Sequence, residues 1–206
     1  MMKRIIVPLM FLATSCRILA QNDDEYRTIM LSSIRTLDTA TSGKDLTQLA
    51  VAFDALYQTN KDWRPLYYRA LCYINLSKTY TKESEKKDAL AKANELLTSL
   101  PVDKDEVQVL RALYAMSYLA ADRSEWQQYL PMIKESLQKA ETLNAENPRV
   151  YYLKGVLTYN TPPAMGGGKE KGTALLKKAM EKFQSFKPAD EYSPSWGRPQ
   201  VEEILK

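Results

Sequence analysis

Histidine is absent from all 206 residues, and cysteine occurs only twice, at Cys16 and Cys72. Without histidine, a Ser-His-Asp triad, the common Cys/His zinc sites and haem attachment through Cys-x-x-Cys-His all lack their parts. If the chain is cut after Ala20, Cys72 is the only thiol left, and an intramolecular disulfide is excluded. Cys72 lies in the apolar stretch Tyr67-Tyr68-Arg69-Ala70-Leu71-Cys72-Tyr73, where a thiol packs as a small hydrophobe. No run alternates apolar and polar residues between turn residues, so strands are not expected. Gly/Pro-rich linkers are also missing, and residues 21–206 read as one domain.

Long hydrophobic runs are missing too. The apolar run Ile5 to Ala13 is too short to span a bilayer, but it follows Met1-Met2-Lys3-Arg4 and precedes Ile18-Leu19-Ala20. A basic start, a short apolar stretch and a small residue before Gln21 predict a secretory signal peptide over 1–20. A second processing route is open, since Ala13-Thr14-Ser15-Cys16 loosely resembles a lipobox, with residues 1–15 removed and Cys16 lipidated. An uncleaved anchor is the third outcome. Either cleavage places the chain in the periplasm or, as a lipoprotein, on the outer membrane. Contact with a membrane is otherwise not expected.

The charge excess belongs mostly to that leader. Of 29 basic residues, Lys3, Arg4 and Arg17 fall in the first twenty, where there is no acid, which leaves 26 against 25 acidic residues. A nearly neutral chain gives no reason to expect nucleic acid, whose binding needs a clustered basic surface. The mixed-charge stretch Lys82 to Lys92 reads as an exposed helix face.

What is present is a repeat. Four times a helix rich in tyrosine and leucine is followed by one built on alanine and leucine, predicting an all-α fold of four hairpins at about 24–60, 62–100, 105–144 and 148–187, with a cap at 192–206. Leu49, Phe53 and Leu56 make one buried stripe, and Ala89, Ala93 and Leu96 another. Met116 and Trp126 are read as hairpin packing, and Pro131 predicts a kink or a later helix start. Asp105 and Ser124 are read as helix caps. Trp196, Val201, Ile204 and Leu205 would cover the open face of the last hairpin.

The phrase Lys139-Ala140-Glu141-Thr142-Leu143-Asn144-Ala145-Glu146-Asn147-Pro148, followed by Tyr151-Tyr152-Leu153-Lys154-Gly155, resembles the junction between two tetratricopeptide repeats. Equivalent second-helix positions Leu56, Leu96, Ala140 and Ala179 are 40, 44 and 39 residues apart, longer than the family's period of about 34. The resemblance implies a solenoid of helical hairpins whose first helices line a concave groove for a protein or peptide. Carried onto this chain, the groove positions are Tyr68, Asn75, Arg111, Tyr118, Tyr152, Tyr159 and Asn160. The alternative for each tyrosine is hairpin packing.

Met165-Gly166-Gly167-Gly168-Lys169 fails as a Walker phosphate loop, because Pro163 stands at the first glycine position and Glu170 replaces the hydroxyl residue. Two readings remain, a lengthened hairpin turn or an anion-binding turn at Gly166, Gly167 and Gly168. The insert from Pro162 to Gly168 also resembles a segment of periplasmic repeat proteins that accompany solute transporters. No catalytic residue, cofactor or metal site is expected, and no carboxylate pair has the convergence a glycosidase needs. The expectation is an exported, non-catalytic tetratricopeptide-like scaffold binding a protein or peptide; the alternative is an accessory protein for solute or lipid capture.

Overall fold

Helix starts are written locally. Ser42 accepts a hydrogen bond from the Asp45 amide, Asp62 from that of Arg64, and Asn147 from that of Arg149, each holding an otherwise unpaired amide at a helix N-terminus. The structure, a computed structural model, describes the backbone of residues 10–206 and the side chains from Asp23 onward. The start of the expected leader and the side chain of Cys16 lie outside the described residues.

The helices are α1 (Met10–Thr39), α2 (Gly43–Thr59), α3 (Trp63–Thr79), α4 (Glu83–Thr98), α5 (Asp105–Ala121), α6 (Trp126–Leu143), α7 (Pro148–Asn160), α8 (Lys169–Ser185) and α9 (Arg198–Ile204). Among the described residues there is no strand, and the chain is an all-α stack of four hairpins with a short C-terminal helix on α8. No described helix is long and apolar enough to cross a membrane.

Consecutive first helices touch, α1 with α3, α3 with α5 and α5 with α7, whereas consecutive second helices make no comparable contact. The stack therefore curves with the first helices on the inside. Close approach is permitted by small residues: a Cβ at Gly172 of α8 would lie 2.5 Å from the Cα of Tyr159 in α7, and one at Gly155 would lie 2.9 Å from Leu176. A continuous apolar core runs along the stack, from Met30 and Phe53 through Tyr67, Leu90 and Leu110 to Leu137, Leu153 and Ala179.

Several local expectations change. Asp105 is not a cap; its carboxylate accepts from the amides of Asn144 and Asn147 across the next loop, each at 2.9 Å. Ser124 does not cap α6. It sits in a 3-10 turn, Arg123–Glu125, held by Asp122, and the turn runs into the helix. Pro131 is the sixth residue of α6 and neither delays nor ends it. Val201 is fully buried in the cap and Leu205 packs on the core, but Ile204 is 38% exposed.

One charged group is buried at the heart of the C-terminal half. The Arg149 guanidinium donates to the Glu106 carboxylate at 2.9 Å and to the Pro194 carbonyl, and the rings of Phe183, Phe186 and Trp196 lie within 5.8 Å of it. Glu106 Oε1 also accepts from Asn147, while Oε2 is buried without a partner. Burial pushes the Glu106 carboxyl up to about 7; Arg149 opposes the shift and the neighbouring Asp105 adds to it. The sign follows from linkage. A carboxyl with a raised folded-state pKa penalises the folded state as pH climbs from the unfolded value toward 7, and the penalty is absent in more acid solution. Wild-type protein should therefore gain on the order of 3 kcal/mol from this group between pH 7 and pH 4.5. Urea unfolding across that range should show the gain, and Glu106→Gln should remove it.

Candidate functional site

The inner surface has two parts, one closed and one open. The closed part lies over the N-terminal halves of α3 and α7. Residues 190–197, between α8 and α9, return across the stack and occupy it as a strap. Asp190 accepts from Arg64, and Glu191 takes two hydrogen bonds from Arg27 at 2.7 and 2.6 Å. The Tyr192 carbonyl accepts from the Tyr68 hydroxyl at 2.8 Å, the Ser195 hydroxyl donates to Asp38 at 2.8 Å, and the Trp196 indole donates to the Tyr67 hydroxyl at 2.9 Å. Gly197 ends the strap at φ +110°, with a Cβ position only 2.9 Å from Phe183. That backbone conformation and that clearance both select glycine.

The open part lies at the edge where the first helices end. A cleft of about 640 Å³ runs between hairpins three and four, walled by Met116, Leu119, Trp126, Val156, Leu157 and Met165. A narrower cleft of about 290 Å³ shares Met116, Ala120 and Val156 with it and continues toward Lys78, Lys86 and Tyr152. Together they form one trough in the size range of small-molecule sites. Trp126 is 54% exposed and Met165 71% exposed, so large apolar groups meet solvent at its mouth.

Against this geometry the expected groove residues separate. Tyr68 is buried under the strap and presents nothing to a partner; desolvation raises its pKa. Tyr152 is half-buried between the two parts, edge-on to Trp196 at 6.4 Å while lining the narrow cleft. Tyr118 stacks on Tyr129 at 4.2 Å as hairpin packing. Arg111 points away from the trough, donating to the Leu97 carbonyl at the end of α4. Asn75 accepts from Lys78 at 3.0 Å, Tyr159 packs over Gly172, and Asn160 lines the wide cleft. The seven do not converge on one surface.

The glycine turn is corrected as an anion site. The amides of Gly166, Gly167 and Gly168 already donate to the carbonyls of Pro163, Pro162 and Thr158, so none is left for an anion. Met116 and Trp126, read from sequence as packing, instead wall the trough. The available signal was position: Trp126 begins a second helix directly after a turn, where one side of a bulky ring has no helix to cover it.

No family model matches the chain, and no curated protein does. Among solved structures, the chain is similar to the HusA haemophore from Porphyromonas gingivalis, with a TM-score of 0.76 and 28% identity over 87% of this chain and 90% of that one. The similarity spans most of both molecules, so the helical stack is shared architecture rather than a local match. The neighbour is named as a binding protein, not an enzyme.

The strap depends on Trp196. Its replacement by alanine removes the indole donor to Tyr67 and one ring around Arg149. Trp196→Ala should therefore accelerate chymotryptic cleavage after Phe186 and Tyr192 by about tenfold or more, as expected for a local opening made easier by 1–2 kcal/mol. Mass spectrometry of the timed digest reads it directly.

Proposed function

We propose that this chain is an exported, non-catalytic binding protein whose trough captures a flat, mainly apolar small molecule of the haem class. The observation that carries the reading is the trough, wide and apolar beside Trp126, narrower and polar at its far end, in a fold similar over most of its length to a haemophore. A flat macrocycle suits it because an exposed indole and thioether side chains offer broad, polarizable contact. Export is supported by the leader pattern of residues 1–20. Under this reading the hairpins serve as a tetratricopeptide-like frame, consistent with the tight pairing of Gly155 against Leu176.

This favours the solute-capture alternative over a peptide-binding groove. The groove over α3 is filled by the strap, and Tyr68 is committed to Tyr192, so an extended peptide has no free inner surface there. Protein partners remain open on the outer faces.

Titration of the purified protein with haemin, followed by the Soret band and by tryptophan quenching, tests the reading. Saturable one-to-one binding is expected, weakened about tenfold by Trp126→Ala and unchanged by Tyr68→Phe. Absorbance changes without saturation, or equal binding by Trp126→Ala, would contradict it.

A further inference from the structure

The trough has a charge pattern that its apolar walls do not explain. None of the residues lining either cleft is acidic, whereas the lining includes Lys78 and Lys86 in the narrow part and Arg123 in the wide part. Several cations elsewhere in the described residues are matched by acids, Lys87 with Glu83 and Asp122, Lys154 with Glu141, Lys182 with Glu146 and Arg149 with Glu106, while Arg111 outside the trough donates to the Leu97 carbonyl and to no acid. Among the described residues, Lys78 and Lys86 make no such pair. Lys78 donates a side-chain hydrogen bond to the Asn75 amide oxygen, at 3.0 Å. Lys78 is exposed at the end of α3, and desolvation by the protein around it lowers its pKa.

The two lysines flank the turn of hairpin two, one at the end of α3 and one in the first turn of α4, and both line the narrow cleft. The other polar side chains of the narrow cleft are the hydroxyls of Ser77, Ser117 and Tyr152. Every charged group there is cationic, and every neutral polar side chain carries a hydroxyl donor. An uncompensated ammonium pair at the end of an apolar slot is arranged for anionic oxygens, and charge-assisted bonds to carboxylates are the strong ones.

We propose that Lys78 and Lys86 form a dicarboxylate subsite at the narrow end of the trough, fixing a ligand whose two carboxylates leave one edge of an apolar body that lies against Met116 and Trp126. The proposal rests on the haem-class reading and deepens it by naming the orientation and the groups that select the ligand. Arg123, in the turn of hairpin three at the wide end, is not part of the subsite.

The test compares haemin with haemin dimethyl ester, which keeps the macrocycle and loses both charges, on wild type, Lys78→Gln with Lys86→Gln, and Arg123→Gln. Wild type should bind haemin about tenfold or more tightly than the ester. The double variant should lose that margin for haemin, bind the ester as wild type does, and melt like wild type by circular dichroism. Arg123→Gln should stay within about threefold of wild type for both. Equal binding of acid and ester by wild type, an unaltered haemin affinity in the double variant, or a loss confined to Arg123→Gln would each overturn the subsite while leaving haem capture standing. Failure of wild type to bind either compound would overturn both.

Discussion

The buried guanidinium of Arg149 is the constraint on which the C-terminal half of the molecule depends. It joins α5 through Glu106, α8 through Phe183, and the strap through Pro194 and Trp196, from a position in the first turn of α7. Removing such a charge from water is costly, and the cost is offset only where acceptors and ring faces surround it. Truncating one side of a pair of this kind typically costs about 3–5 kcal/mol, because the other charge stays buried alone. The strap is thus a structural member, and the cap that end repeats need is combined here with closure of the inner surface.

That closure decides where a ligand can go. An open hairpin stack presents its whole inner face, but here residues 190–197 cover the end where α3, α5 and α7 begin, and the trough lies at the end where they finish. Tyr152 stands at the boundary, one edge toward Trp196 and the other toward the narrow cleft. The closed end holds the buried pair of Arg149 and Glu106, and the residues lining the open trough include cations but no acid. An apolar body with carboxylates at one edge is the complement of that arrangement.

The hairpins were legible in the sequence because each is specified by short-range signals. Hairpins start near Asp62 and Asn147 as read, where both residues cap their helices, though the caps expected at Asp105 and Ser124 do not form, and stripes such as Leu49, Phe53 and Leu56 are buried. The site was less legible, for two physical reasons. Periodicity marks Tyr68 as lying on an inner face, but cannot show that a segment more than 120 residues away covers it. Met116 and Trp126 follow the same apolar spacing as buried residues, and only the packing of hairpins three and four shows that they wall a cleft. The glycine turn misled in a similar way, since a Gly-rich loop advertises free amides and only the fold shows that Thr158, Pro162 and Pro163 take them.

The claim that the ligand enters the open trough and leaves the strap in place is tested most directly by hydrogen–deuterium exchange with and without haemin. Slower exchange is expected in the amides of 113–126 and 152–165, with residues 190–197 unchanged. Ligand-dependent exchange concentrated in 190–197 and the first turn of α3 would contradict it, because the occupied surface would then be the one the strap covers.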